Sequence, residues 1–457
     1  MQRHIPLVFT VLLLFVSLKV SVAQDCNFRY SLPDSICGGA SFNPFAEAAP
    51  SSSVLWDFCG GDAALSPTFS TGTTLNGTST INSLRIIEDG GNFYGFALSS
   101  GTNQLLRFNY GPNPNNTNPD LEFLSPTGAV LANPGALDLY QEGTQWYGLL
   151  TNRGSNQIFR LSFGDNIQNN PVITILNIGG IVTSQAVRII KQNNTVYGLV
   201  AASAADQFFV LNFGGSITNT PTFRSFSAGS PVRDLEVLNY CGVAYVFAIN
   251  SSNRLLKLSF INGLDGAPSI ADISYNISIQ GFIELNDLSY CFDKGKFYLF
   301  FQGRNATGQN LVRGILPNPI AASFRTDALV ISGIMAPIIG LQPVLTSGSQ
   351  FSLQGFYSSA SNNFPNNLQK QVFFTFPNAC NATLNSGSGG FPGGLSYSTP
   401  GNKIININIS DQNGNNYYQS DSVFIVDGVF ARPTYTKDCA NQQYRFSANA
   451  CSNQGND

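Results

Sequence analysis

Tyr94-Gly95-Phe96-Ala97, Tyr147-Gly148-Leu149-Leu150, Tyr197-Gly198-Leu199-Val200, Tyr245-Val246-Phe247-Ala248 and Tyr298-Leu299-Phe300-Phe301 are five versions of one short apolar run. Their tyrosines are spaced by 53, 50, 48 and 53 residues, and a fixed period of this length marks a repeat architecture. Before each lies another apolar run, such as Leu84-Arg85-Ile86-Ile87 or Val187-Arg188-Ile189-Ile190, ending in a turn such as Asp89-Gly90-Gly91-Asn92. After each comes a third: Leu105-Leu106-Arg107-Phe108, Ile158-Phe159-Arg160-Leu161, Phe208-Phe209-Val210-Leu211 or Leu255-Leu256-Lys257-Leu258. A fourth follows Pro119, Pro171, Pro221 or Pro268. Four short strands in every ~50 residues, joined by Gly and Asn turns, make one blade of a β-propeller.

The chain also carries the means to close a ring. Trp56-Asp57-Phe58-Cys59-Gly60 matches Phe108-Asn109-Tyr110-Gly111 and Leu211-Asn212-Phe213-Gly214, so it reads as the third strand of a blade, with the fourth after Pro67. Leu341 to Ser359 follows the pattern of Leu84 to Ser100 and would supply the first two strands of that blade. N-terminal strands completing a C-terminal blade remove the open edges of a ring. The expectation is an all-β chain: a propeller of six blades, five to seven at the margin, over residues 53–359, after a lead segment at 24–52. The fifth repeat reaches Pro319 early after Asn310-Leu311-Val312-Arg313-Gly314, which predicts a shortened outer hairpin.

Past the ring, Val372-Phe373-Phe374-Thr375-Phe376, the alternating run Lys403–Ile409 and Ser422-Val423-Phe424-Ile425-Val426 read as strands of a second module at 360–430. Tyr397 to Gly401 before the alternating strand, and Asp411-Gln412-Asn413-Gly414-Asn415 after it, resemble a PKD-type immunoglobulin-like sandwich. That family's WDFGDG segment is degraded here to Phe374-Thr375-Phe376-Pro377-Asn378-Ala379. A WDFCGGD entry, propeller repeats and a PKD-like module together resemble the large surface proteins of Bacteroidetes-type bacteria, many of them cargo of type IX secretion. The resemblance implies a surface location, although no sorting domain follows. Residues 431–457, with Gln443 to Ala448 strand-like, read as the start of a further module, so a longer multidomain protein is expected.

Met1 to Ala23 has a basic start, an apolar run from Leu7 to Val16 and a small-residue end, the pattern of a signal peptide cut before Gln24. No later stretch is long enough to span a membrane, and a secreted or cell-surface protein is expected. Loss of Arg3 and Lys19 with the signal leaves 21 basic against 26 acidic residues, a formal charge of −5. That balance argues against nucleic acid and against membrane insertion. The only histidine, His4, leaves with the signal, so no Ser-His-Asp or Cys-His mechanism and no His-ligated metal site is available. Cys26, Cys37, Cys59, Cys241, Cys291, Cys380, Cys439 and Cys451 are an even set in an exported chain and read as disulfide candidates. Cys241 with Cys291, Cys26 with Cys37, and Cys439 with Cys451 are the pairs considered.

The recurring aromatic residues, Tyr94, Trp146, Tyr147, Phe159, Tyr197, Phe208, Tyr245 and Tyr298, read as packing between blades. Among the acids Asp89, Asp138, Glu142, Asp165, Asp234, Glu236, Glu284, Asp287 and Asp293, no motif joins two into a catalytic pair. Asp138, Asp234 and Asp287 do fall at similar places in first strands, beside Arg85, Arg188 and Arg233. Solvated or mutually paired channel residues are the plain reading, and a ring of charge around the central channel, where an ion or small ligand would sit, is the sharper one. No cofactor is called for, calcium in the channel being the one left open. The expected function is a non-catalytic binding or adhesion scaffold for a glycan or surface protein. The alternatives are a propeller that acts on carbohydrates or lactones through carboxylates, which requires a compact acidic cluster, and a passive spacer.

Overall fold

Alternation in the repeated runs gives each strand a face to bury, and a computed structural model of the chain shows how the strands pair. It describes residues 28–49, 52–58, 62–75, 80–181, 184–202, 206–274, 282–305, 308–321, 325–329, 338–344, 352–358, 369–377, 382, 386–390, 392–426, 430–438 and 443–451. All regular structure among them is β.

Six of the sheets are four-stranded and antiparallel, with strand order following chain order in the first five. The first contains Ile81–Asp89, Asn92–Ser99, Gln104–Gly111 and Asp120–Leu124. The second contains Pro134–Glu142, Gln145–Asn152, Gln157–Gly164 and Val172–Leu176. The third contains Ser184–Gln192, Thr195–Ala202, Gln207–Asn212 and Thr222–Ser227. The fourth contains Val232–Tyr240, Val243–Asn250, Leu255–Phe260 and Ser269–Asp272. The fifth contains Glu284–Asp293, Lys296–Asn305, Gly308–Leu316 and Arg325–Leu329. The sixth joins Ile338–Val344, Ser352–Ser358 and Gln369–Thr375 to Thr68–Leu75 from the other end of the chain. The fifth sheet keeps all four strands, so its outer hairpin is not cut short. Innermost strands of successive sheets touch in a closed cycle, sixth to first included, as in a β-propeller.

Each gap between neighbouring sheets holds its own apolar cluster. Tyr94, Trp146 and Phe159 fill the first gap, Tyr197 and Phe208 the third, Tyr245 the fourth and Tyr298 the fifth, while Tyr147 packs half-buried in the second. The recurring aromatics are therefore packing, each buried large side chain contributing about 1.5–3 kcal/mol.

Polar side chains fix the repeat as well. In Tyr110-Gly111, Phe163-Gly164 and Phe213-Gly214 the turn is closed six residues on, where Asn116, Asn169 and Asn219 donate to the carbonyls of Tyr110, Phe163 and Phe213. A cation from the preceding sheet's third strand clasps the same kind of turn. Arg107 donates to Ile167 O at 3.2 Å, Arg160 to Ile217 O at 2.9 Å, and Lys257 to Ile320 O at 3.0 Å. Arg313 does this for the turn entering the closing strand, donating to Ala63 O at 2.7 Å and Leu65 O at 2.8 Å. Hydrogen bonds from a charged donor are worth about 1.5–3 kcal/mol. Arg313→Ala should lower the unfolding free energy in urea by about 2–3 kcal/mol, and an unchanged midpoint would show that this clasp holds nothing.

Ring closure differs from the expectation. Ser53–Asp57 is not a third propeller strand: Trp56 pairs with Ile407 and Gly387, outside the ring. The third strand of the sixth sheet is Gln369–Thr375, which alternation alone assigns to the sandwich. The cause is visible at Asp62, whose N–H donates to Pro377 O at 2.9 Å. In space the turn at 62–65 continues from Phe376-Pro377, although in the chain it follows Phe58. One N-terminal strand closes the ring, where two were expected.

The second module is a five-stranded sheet in the order Ser35–Cys37, Asn416–Val426, Gly401–Ser410, Ser53–Asp57, Ser386–Ser388. Its first pair is parallel and the others antiparallel. Phe28, Tyr30, Leu32, Ile36 and Phe42 pack into its core around Trp56, Tyr397 and Ile407. The segment at 24–52 therefore does not stand apart, and the boundary at residue 53 cuts through one structural unit. Phe430–Asp438 and Gln443–Cys451 form a hairpin of their own.

The five-stranded sheet caps one mouth of the propeller. The Asp411–Asn415 turn is the hairpin expected there, its Asp411 carboxylate accepting from the N–H groups of Asn413 and Asn415. Asn239 donates to Gly414 O at 2.6 Å, and Gly414 has φ +84 with the Lys191 backbone where a Cβ would lie. Only glycine fits both the left-handed backbone and that contact. Tyr418 inserts among Tyr240, Phe292 and Phe297 of the fourth and fifth sheets.

Candidate functional site

All six innermost strands carry a β-bulge near their start: 81/83, 134/137, 184/186, 232/234, 286/288 and 339/342. A bulge re-aims the side chains that follow it, and here those residues line the channel. Arg85, Asp138, Arg188, Asp234 and Asp287 lie there.

Their arrangement is a clasp and an ion network combined. Asp138 accepts from Ile189 N at 2.6 Å, Asp234 from Leu288 N at 2.7 Å, and Asp287 from Gly340 N and Leu341 N, each reaching the next sheet. Gly340 has φ +73, and a Cβ there would lie 2.7 Å from Leu84. Arg85 Nε lies 2.9 Å from Asp138 Oδ1, out of hydrogen-bond alignment with it, and Arg85 Nη1 donates to Gln342 Oε1 at 2.7 Å. Arg188 Nε donates to Glu236 Oε2 at 2.9 Å, and its Nη2 lies 3.7 Å from Asp234 Oδ1. Glu236 belongs to this network, and its position two residues after Asp234 in a strand was the only signal for it. Arg233 does not join: it donates to Asn253 Oδ1 at 3.1 Å and to the carbonyls of Leu285 and Ser251, at the rim.

The buried carboxylates resist ionisation. Burial and the charge of Glu236 push Asp138 well up, even though N–H donors oppose it. Burial first, then Asp234, does the same to Asp287. Burial raises Asp234 to about 6 although Arg188 opposes it. Burial tends to lower Arg188, but Glu236 and Asp234 outweigh it and the guanidinium is raised. Among the described residues no three acids or cysteines converge as metal ligands.

The ion network separates two cavities. The one on the capped side, of about 410 Å³, is floored by Arg85 and Glu236 and walled by Asp57, Tyr290, Cys291, Phe292, Asp293, Asn406 and Tyr418. The Asn406 Nδ2 donates both to Asp57 Oδ2 at 2.9 Å and to Asp293 Oδ1 at 3.0 Å, while Ala63 N donates to Asp293 Oδ2 at 3.0 Å. Three separate pieces of chain thus bring two carboxylates to one amide. Burial, and then the charge of Asp57, raise Asp293 to about 6. Asp57 and Asn406 escaped the sequence reading because nothing local marks them.

Native Asp293 and Asp234 retain protons that the unfolded chain has already released between their ordinary range and about 6. The folded state binds more protons in that window, so the stability these two groups contribute is present below their ordinary range and is lost as pH rises through about 6. Urea midpoints should be higher at about pH 4.5 than at about pH 7.5, with a smaller difference in Asp293→Asn. A midpoint that rises with pH would contradict this.

Cys291 is a free thiol at the cavity wall, so the bridge considered between Cys241 and Cys291 does not form. Burial, then Asp293, raise its thiol well above the usual range. Cys26, Cys59, Cys380 and Cys439 lie outside the described residues, as does the side chain of Cys451.

No known family profile and no curated protein matches the sequence. Solved structures that resemble the chain include a thermostable family-43 glycoside hydrolase (13% identity over 66% of this chain and 92% of that one, TM-score 0.36). An α-L-arabinofuranosidase from Podospora anserina, in complex with cellotriose, covers 69% of this chain and 98% of its own at 12% identity and TM-score 0.41. An exo-β-1,3-galactanase from Phanerochaete chrysosporium covers 77% and 99% at 12% and 0.38. These neighbours are carbohydrate-active hydrolases; in this chain Asp138, Asp234, Glu236 and Asp287 gather in the channel with Asp57 and Asp293 in the cavity beside it, whereas Asp165 is exposed and Glu284 pairs with Arg304. The carboxylate alternative required such a compact acidic cluster, and on that finding the expectation of a non-catalytic adhesion scaffold is corrected. At such scores the neighbours carry no chemistry onto this chain, which depends on its own residues.

Proposed function

We propose that the protein is a carboxylate-dependent hydrolase that cleaves a glycosidic bond in the capped cavity, with Asp293 as proton donor and Asp57 as the second carboxylate. The observation that carries this is the Asn406 amide bonded to both acids. Their oxygens can lie no farther apart than two hydrogen bonds end to end. Glycosidases that retain configuration hold their acids roughly 5–5.5 Å apart, and inverting ones roughly 6.5–9.5 Å apart; the short separation applies here. A general acid works best with a pKa near the operating pH, and Asp293 is raised to about 6. Tyr290, Phe292 and Tyr418 offer aromatic faces to a sugar ring. This chemistry needs no histidine.

In the proposed reaction Asp293 gives its proton to the departing glycosidic oxygen while an Asp57 oxygen bonds to the anomeric carbon. Water, deprotonated by Asp293, then displaces Asp57 and releases the sugar with its original configuration. The test is a panel of nitrophenyl glycosides, neutral oligosaccharides and lactones, with product anomers followed by NMR. Cleavage with retention, fading above about pH 6 as Asp293 loses its proton, is the expected result. Inverted product, or turnover of lactones alone, would sink the assignment.

The same proposal takes the six sheets as six blades and the cap as a PKD-like sandwich. It places the protein outside the cell, exported by Met1–Ala23, where glycans are available. An N-terminus at Gln24 in the secreted fraction checks the last point.

A further inference from the structure

The cavity on the other side of the ion network, of about 310 Å³, is lined by the bulged starts of the innermost strands, among them Asn82, Gln185, Arg233 and Asn286, together with Arg153. Its charges are unevenly committed. Asp234 and Asp287 spend carboxylate oxygens on the backbone N–H groups of neighbouring sheets, and Glu284 pairs with Arg304 at 2.7 Å. Arg153, by contrast, makes only long hydrogen bonds to carbonyls, to Asn133 O at 3.4 Å and Pro134 O at 3.5 Å. Arg233 reaches only an amide and two carbonyls. Neither guanidinium has an ion pair among the described residues.

We infer that this mouth is a binding site for a small oxyanion, a carboxylate or phosphate group held between Arg153 and Arg233. Guanidinium groups present paired N–H donors that match the two oxygens of such a group. Partial removal from water at a cavity wall strengthens that attraction. Burial already acts on Arg153, lowering its pKa, and an anion beside it would offset that burial. Six bulges at one end of the channel are the local device that opens the strand starts toward a ligand. The site is separate from the Asp57–Asp293 pair, because the Arg85, Asp138, Arg188 and Glu236 network lies between.

The experiment is isothermal titration of the full protein with inorganic phosphate, with glucuronate, and with glucose as the uncharged control, at low salt. Saturable binding of phosphate, glucuronate or both, with none for glucose, is expected, and the anion that binds identifies the group recognised. Affinity should fall at least tenfold in Arg153→Gln and in Arg233→Gln and stay unchanged in Asp293→Asn. Arg153→Gln is the safer variant, since its bonds are long, and thermal melts confirm that each variant is folded. Absence of binding by both anions, equal binding of glucose, or binding that survives both arginine variants would overturn the proposal.

Discussion

Asp293→Asn lowers kcat by about two to four orders of magnitude, the usual contribution of a positioned proton donor, while KM stays within severalfold. The side chain is nearly isosteric, and its remaining oxygen can still accept from Ala63 N, so the fold is retained. What is lost is a buried proton that is held near 6 beside the charge of Asp57. Asp57→Asn is expected to cost as much, because a retaining reaction needs both carboxylates. The two changes together should cost little more than either, as for residues that act as one unit. Steady-state kinetics on whichever glycoside the panel selects decides the matter. Glu236, the third acid of this cavity, provides the contrast. A greater loss in Glu236→Gln than in Asp57→Asn would transfer the second role to Glu236.

Trp56→Ala should destabilise the protein by about 3–5 kcal/mol, as expected for removing a fully buried aromatic side chain. Trp56 has no exposed surface. It stacks on Phe58 with ring centroids 5.8 Å apart, and its indole Nε1 donates to Gly389 O at 2.8 Å. Truncation opens a cavity in the cap core and leaves that carbonyl without its donor. The next residue is Asp57, so the substitution should also loosen the carboxylate pair. Chemical denaturation followed by circular dichroism gives the first effect and kcat gives the second. A loss below about 1 kcal/mol would mean that the cap repacks and that the seat of Asp57 is softer than described.

The propeller was legible in the sequence because its strands pair with chain neighbours. Tyr94, Tyr147 and Tyr197 mark successive repeats, and local turns such as Asp89-Gly90-Gly91-Asn92 join the paired strands. Closure was half legible. Phe58 and the residues after it do lead into a propeller turn, but Ser53–Asp57 pairs with Gly401–Ser410, and no local pattern reports a partner so far along the chain. Asp138, Asp234 and Asp287 could be found because they recur, and their recurrence reflects the clasp between sheets. The Asp57, Asp293 and Asn406 constellation does not recur. Its members lie 349 and 113 residues apart, and only the seating of the cap on the ring unites them. The sign of the functional expectation turned on this, since a channel lined with paired charges looks inert until the second pair of acids is seen.

The mixed origin of the sixth sheet sets an order on synthesis. The strand pairings of each of the first five sheets can form as soon as its own stretch of about 50 residues has been made, since those pairings are local. The sixth cannot. Thr68 bonds to Thr375, 307 residues later, so the strand at 68–75 emerges early and waits as an unpaired edge while the rest of the ring is built. Bringing its ends together costs loop entropy only once, but an open edge is a template for pairing with another chain throughout that delay. Before closure a partner copy can insert its own N-terminal strand, and a ring completed in that way would be a domain-swapped dimer with every local contact intact. Yield on refolding should therefore depend steeply on protein concentration.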